Sequence, residues 1–333
     1  MRLLRNEGRT GLRNGSPEHV GTARGRNKKR RLNMRTGTIR KLICLVLAAL
    51  IMGLAGGAVA EDGERAVLID RTKDPSVQYE FPDRADILEI VYPRCFGADC
   101  CVLRQGDTVM MIDSGTKAIA EDGVIKALRA MGISHVDIGF NTHFHGDHIG
   151  GFIPLLEAGI SFGEFCICQD EGFESWPRAT MERMRESGAT VRRMEDEDVL
   201  EVGKAEVHVF LRHRTDFTLN DYSGITMAEF GKFRFLSTGD IEQRGEEMFL
   251  KVPPSTGYRA DLYNHAHHGY LTTKPELLDA IDPQMCVITG VRGSFEKAAQ
   301  RLERHGIPWI RPWPEALRIL TDGETWVLEY YEY

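Results

Sequence analysis

Residues 141–151 read N-T-H-F-H-G-D-H-I-G-G and place three histidines and an aspartate within six consecutive positions, His143 to His148. Neutral imidazoles and carboxylates are ligands for zinc and similar divalent ions. Alternation along an extended loop turns His143 and His145 the same way, toward one ion. Gly146 permits a tight bend, past which Asp147 and His148 reach a second ion beside the first. Two such ions can share a hydroxide that serves as a nucleophile at neutral pH. Alone, the turn would also fit a solvated histidine cluster, so its meaning depends on what the rest of the chain brings to it.

The stretch V-D-I-G-F-N (136–141) reads as a short buried strand that delivers the turn at its C-terminal end, and a helix starts at Phe152, where Pro154 is tolerated in the first turn. Upstream, residues 118–131 carry helical spacing through Val124, Ile125, Leu128 and Met131. I-L-E-I-V-Y-P (87–93) has strand composition, and C-C-V-L-R-Q-G-D-T-V-M-M-I-D-S-G (100–115) reads as a hairpin turning at Gln105-Gly106-Asp107. Downstream, E-F-C-I-C and A-E-V-H-V-F-L (205–211) are strands, residues 174–188 a helix, and a second hairpin turns at Gly231-Lys232. Helix 242–250, strand 285–289, helix 293–305 and two closing strands complete the pattern. Hairpins mixed with helices that must cover sheet faces imply an α+β fold with two sheets between helical layers.

Three further pieces follow in chain order. Asp113, in M-M-I-D-S-G, and Asp240, in F-L-S-T-G-D, each end a hydrophobic strand. A lone carboxylate there is more often a turn former or helix cap. N-H-A-H-H-G-Y (264–270) then supplies three more histidines after a short strand. Together with H-x-H-x-D-H and its trailing glycine pair, these pieces resemble the metallo-β-lactamase superfamily over roughly residues 87–330. The resemblance implies a four-layer αββα sandwich with a dinuclear metal site at one edge.

Within that superfamily the chain is similar to the metallo-β-lactamase-type domain of the bacterial DNA-uptake competence channel protein. Asn220 and Ser223 fit its N-x-x-S segment, Thr238 to Glu242 its T-G-D-[LI]-E, and His267-His268-Gly269 its H-H-G. Departures are Tyr270 where Ser is usual, Asn264 to Ala266 in place of K-V-x, and no late H-P pair. No long channel-forming hydrophobic segments are present, which fits a stand-alone exported version. The resemblance implies that Asp147, His148, Asp240 and His268 hold one metal, and His143 and His145 the other, with Asp240 bridging. Superfamily members with zinc pairs usually have a third histidine on the first metal. Here the interval offers only His208, inside an apolar strand, and His213, out of register. Asn220 or Asp221 is expected at that corner instead, an oxygen-rich site at which manganese competes with zinc. His267 and Asn220 are expected to donate to developing charge, Asp113 to orient a ligand histidine, and Asp221, Ser223 and His265 to support the ligands from behind.

The net charge of -7 conceals an asymmetry. Residues 1–60 carry 13 of the 42 Lys and Arg but 2 of the 49 Asp and Glu, leaving the remainder with a balance of -18. So acidic a body disfavours long duplex DNA and points to small molecules or short oligonucleotides. The first 60 residues read as a basic leader and signal peptide, with R-G-R-N-K-K-R-R (24–31), an apolar run from Leu42 and an Ala58-Val59-Ala60 cleavage pattern. That predicts secretion with one domain over 61–333, and membrane attachment only if the segment stays uncleaved as an anchor. Six cysteines remain after Cys44; four of them lie in apolar strand-like runs, and buried free thiols are expected.

The expected function is an exported metal-dependent hydrolase, with phosphodiester bonds of nucleotides or short nucleic acid as its target. Hydrolysis of amides or esters, including lactams and lactones, is the alternative enzyme reading. A non-catalytic metal-binding module is a third, disfavoured because a structural site needs one closed metal only.

Overall fold

The structure, a computed structural model, describes residues 65–81, 86–173, 177–271 and 273–333. The leader expected over residues 1–60 and its cleavage pattern lie outside the described residues. Among those described, no helix is long and apolar enough to cross a membrane.

Sixteen strands form two sheets. Strands β1 (Val67–Asp70), β2 (Leu88–Tyr92), β3 (Cys101–Gln105), β4 (Thr108–Ile112), β5 (His135–Asn141), β6 (Ser161–Ile167) and β7 (Thr190–Arg193) belong to the first. The second holds β8 (Val199–Val202), β9 (Ala205–Phe210), β10 (Ile225–Phe230), β11 (Phe233–Ser237), β12 (Leu262–Asn264), β13 (Met285–Val287) and β14 (Trp309–Ile310). The closing hairpin, β15 (Ala316–Thr321) and β16 (Thr325–Tyr331), returns to the first sheet, whose order is β1-β16-β15-β2-β3-β4-β5-β6-β7. The second runs β14-β13-β12-β11-β10-β9-β8.

Side-chain alternation explains the layering. Leu88, Ile90, Tyr92, Leu103, Met110 and Ile112 point inward and meet Val207, Val209, Phe233, Phe235 and Leu262 of the second sheet in one central core. Their strand neighbours Val91, Val102, Val109 and Met111 point outward and pack with Val124, Leu128, Phe152 and Leu155 of the covering helices. Across the molecule, Phe210, Met227 and Leu236 face away from the centre and pack with Phe249, Leu277, Leu278 and Leu302. A strand apolar on both faces must be covered twice, and three apolar cores separate four layers. This is the expected αββα sandwich. All six cysteines among the described residues are buried free thiols.

Strands β4, β5 and β6 run parallel, as do β11, β12, β13 and β14. Parallel strands release their chains at the same end, and in sheets of this kind ligands collect beyond the carboxyl ends. Asp113 follows β4, the histidine turn follows β5, Asp240 follows β11 and His268 follows β12. The motif residues, scattered over 156 positions of sequence, therefore leave the two sheets at a common edge.

Candidate metal centre

The histidine turn is pinned from both sides. Ser114 donates its N–H at 2.7 Å and its hydroxyl at 2.8 Å to the His148 carbonyl, and Gly151 N–H donates to the Ser114 hydroxyl at 3.0 Å. A Cβ on Gly151 would stand 2.1 Å from the Ser114 carbonyl oxygen, so only glycine allows the helix after the turn to approach. Gly239 plays the same part in T-G-D: its φ is +52° and a Cβ there would lie 2.8 Å from Ser223. Asp113, His267 and His268 hold φ values of 55°, 51° and 55°, a left-handed backbone that costs about 1–3 kcal/mol at a non-glycine residue and concentrates at functional sites.

These turns bring six side chains together. His148 Nε2 lies 3.2 Å from His268 Nε2 and 3.2 Å from Asp240 Oδ1. His268 Nε2 is also 3.4 Å from Asp147 Oδ2 and 3.5 Å from Asp240 Oδ2. A tetrahedral ion with bonds of about 2.0–2.1 Å sets its ligand atoms roughly 3.3–3.4 Å apart. Beside this set, His143 Nε2 lies 3.0 Å from His145 Nδ1 and 3.8 Å from Asp240 Oδ2. Asp240 thus stands between the two groups, and its Oδ1 is fully buried without a hydrogen-bond donor. A buried carboxylate oxygen left in that state is costly unless a cation takes it. The residues present fit a pair of divalent ions, and among the described residues overlapping triads of potential ligands are centred on His148, Asp240 and His268.

The electrostatics agree with a cation site. Burial opposes charge on His148 and His268, yet Asp240, with Asp113 beside the first and Asp99 beside the second, holds both imidazoles well above their usual range. Burial likewise disfavours ionised Asp240 and Asp147. His148 and His268 nevertheless hold Asp240 well below the usual carboxylate range, and His268 and His148 hold Asp147 at about 2. Burial, reinforced by His148, pushes His143 well down, which keeps it in the neutral form that binds metals. Four carboxylates, Asp99, Asp113, Asp147 and Asp240, converge on these imidazoles and make the edge favourable to positive charge.

Asp113 accepts from Asn141 Nδ2 at 2.9 Å, from Thr142 N–H at 2.8 Å and hydroxyl at 2.7 Å, and contacts His148 Nδ1 at 2.7 Å. Ser223 Oγ lies 3.2 Å from His143 Nδ1 and accepts from Asp240 N–H at 3.0 Å. His267 Nε2 stands 3.7 Å from Asp240 Oδ2, with its Nδ1 3.5 Å from Glu242 Oε1. Asn220 donates to the same Glu242 oxygen at 2.8 Å and leaves its own Oδ1 buried and unpaired.

Two expected site residues are placed elsewhere. Asp221 Oδ1 accepts from the N–H groups of Glu242 at 2.8 Å and Gly245 at 2.9 Å, so it caps the helix Gln243–Lys251 instead of filling a metal corner. His265 is fully buried but turns away, with Nδ1 2.9 Å from the Ala266 carbonyl and Nε2 3.3 Å from the Thr273 hydroxyl. Burial lowers it to about 4. Neither His208, 3.3 Å from Glu229, nor His213, 3.1 Å from the Tyr222 carbonyl, joins the site. Sequence reasoning passed over Asp99, Glu242 and Thr289; of these, Glu242 carried a signal, as the last residue of the T-G-D-I-E element.

The chain is 28% identical over 203 residues to ComE operon protein 3 of Bacillus subtilis, covering 58% of this chain and 26% of that protein. It is 25% identical over 222 residues to Competence protein ComA of Neisseria gonorrhoeae, covering 63% of this chain and 29% of that one. The chain thus spans between a quarter and a third of the length of these curated relatives. Among solved structures it is similar to the metallo-beta-lactamase fold protein YhfI from Bacillus subtilis, at 10% identity and a TM-score of 0.46, covering 67% of this chain and 95% of that one. The Metallo-beta-lactamase superfamily itself matches residues 93–300, more than half of the chain and every segment that builds the centre described above. The protein belongs to the metallo-beta-lactamase superfamily and is a metal-dependent hydrolase related to the bacterial competence-type domains.

Proposed function

We propose that the protein hydrolyses phosphodiester bonds in nucleotides or short oligonucleotides, using two divalent ions, zinc or manganese. The observation that carries this reading is the buried Asp240 carboxylate placed between His143 on one side and His148 and His268 on the other. When bound, the ions supply a nucleophile at neutral pH and neutralise charge on the phosphoryl oxygens. Asp147, His148, Asp240 and His268 would hold one ion, and His143 and His145, with Asp240 beside them, the other. Asp113 fixes the His148 ring and Ser223 the His143 ring. His267, part exposed beside Asp240, directs a ring N–H at charge developing on the substrate. Glu242 Oε1, held by Asn220 Nδ2, lies 3.5 Å from the Nδ1 of that ring and sets a negative charge behind it.

The relationship to competence proteins supports a nucleic-acid-type substrate, and Tyr270 adds to it. Its ring is exposed and lies 5.5 Å from that of His267 and 6.0 Å from that of His268. An exposed aromatic face beside a phosphoryl site suits a nucleobase, which stacks without regard to sequence. The acidic body favours small or short substrates, and the leader favours work outside the cytoplasm. The purified, metal-loaded protein, offered a chromogenic phosphodiester, lactam and lactone side by side, should cleave the first. Preferential lactam or lactone hydrolysis would move the function to amide or ester bonds.

A further inference from the structure

Asp99 sits in the unremarkable stretch F-G-A-D-C-C (96–101), 169 positions before the histidine it touches. Its carboxylate is buried, and among the described residues its side chain bonds to groups at the metal edge. Asp99 Oδ1 lies 3.1 Å from His268 Nδ1 and accepts from the Thr289 hydroxyl at 2.5 Å. Asp99 Oδ2 accepts from Asn264 Nδ2 at 3.0 Å. The Thr289 oxygen also stands 2.9 Å from His268 Nδ1. The backbone is equally committed: Asp99 N–H donates to the Asp147 carbonyl at 3.2 Å, and the Asp99 carbonyl accepts from Gly115 N–H at 2.8 Å.

We propose that Asp99 is the positioning residue of the second metal site, fixing the ring of His268 and its Nδ1–H tautomer so that Nε2 is free to bind the ion. The proximity of Asp99 to Asp240 and His268 would also allow it to be a ligand itself. The geometry decides against that. Asp99 is on the Nδ1 side of the imidazole, whereas His148, Asp147 and Asp240 gather at Nε2. Both Asp99 oxygens are already occupied by donors from Thr289, His268 and Asn264.

The pairing mirrors that of Asp113 with His148, so each of the two imidazoles that meet at Nε2 has a buried carboxylate behind it. A carboxylate accepting from the far nitrogen fixes the tautomer and raises the ring's basicity as a ligand. Of the side chains bonded to Asp99 among the described residues, Thr289, Asn264 and His268, only the imidazole can carry positive charge. The backbone bonds to Asp147 and Gly115 extend the same control to the histidine turn and to the turn after Asp113.

This inference rests on His268 being a metal ligand, and it is independent of which bond the enzyme cleaves. The test is metal binding by the full chain, using zinc titration and the visible spectrum of the cobalt-loaded protein. Wild type should bind two ions. Asp99→Asn, which keeps size and one acceptor, should weaken one of them by about 10–100-fold and shift the cobalt bands, with the other ion unchanged. Thr289→Val, which removes one donor to Asp99 and leaves every proposed ligand intact, should move both readouts the same way by less; it keeps the test open if Asp99→Asn folds poorly. His268→Ala should lose that ion outright. Asp99→Asn with wild-type affinity and spectrum would overturn the proposal. Complete loss of the ion in Asp99→Asn, with Thr289→Val silent, would overturn it in favour of direct ligation. A wild-type chain that binds no second ion would remove the metal-pair reading and this one with it.

Discussion

Glu246 offers a prediction whose size follows from the structure. It lies on the helix Gln243–Lys251 that follows Asp240, it is buried, and its Oε2 accepts from Lys274 N–H at 3.1 Å. That bond ties the helix after the T-G-D turn to the loop after the H-H-G turn, two of the segments that build the metal edge. Burial raises this carboxyl from 4.5 to about 7, with Lys274 opposing. The folded-state value is above the unfolded one, so the stability contributed is fully present below 4.5 and is lost as pH rises through about 7. At about 1.4 kcal/mol per tenfold, the displacement is worth about 3 kcal/mol in all. Glu246→Gln cannot ionise and keeps an acceptor for Lys274 N–H. Its stability relative to wild type should therefore rise by about 2–3 kcal/mol between about pH 5 and about pH 8. Urea unfolding in the presence of a chelator, which removes linkage to metal binding, measures the difference at both values. A stability gap that does not change with pH would show that Glu246 is ionised in the folded protein and that the burial argument fails.

The remaining predictions concern the metal edge and the leader. Asp113→Asn should lower affinity for the ion at His148 by about 10–100-fold, read by metal titration, because the Nδ1 contact at 2.7 Å loses its charge. His267→Ala should retain both metals and lose on the order of a hundredfold in turnover; loss of an ion instead would make it a ligand. Gly151→Ala should destabilise the protein by about 2–4 kcal/mol in thermal or urea unfolding, because the new methyl would collide with the Ser114 carbonyl. Mass spectrometry of exported protein should find a mature chain beginning at or within a residue or two of Glu61; recovery of intact cytosolic chain alone would contradict the secretion reading.

The histidine turn was legible because its ligands are consecutive, its strand is apolar and its glycines are local. Asp113, Asp240 and His268 were legible because each ends a hydrophobic strand, and strand ends are where this architecture collects its chemistry. Asp221 was misplaced for a physical reason: a carboxylate that caps a helix and one that binds a metal look alike in sequence. Distances to Glu242 and Gly245 N–H separate them. Asp99 was missed because its partner lies on the other sheet, and no local spacing announces a contact across 169 positions. Strands β7 and β8 escaped because both are four-residue sheet edges, too short to show a clear alternation, as edges that avoid pairing with other chains tend to be. The helix Pro275–Ile281 did carry its signals, a proline at the first turn and apolar spacing through Leu277, Leu278 and Ile281. The helical pattern expected over 118–131 is confirmed, with a wider π turn at Ala120–Val124 that period alone does not reveal.

The most direct test of the central claim joins metal content to bond cleavage in Asp240→Ala. Wild-type protein loaded with zinc or manganese should hold two ions and hydrolyse a chromogenic phosphodiester, and chelation should abolish the activity. Asp240→Ala removes a carboxylate that stands between both ligand groups, so it should bind fewer than two ions and lose phosphodiester hydrolysis. If Asp240→Ala keeps two ions and wild-type cleavage, Asp240 does not bridge them and the account of the centre is wrong.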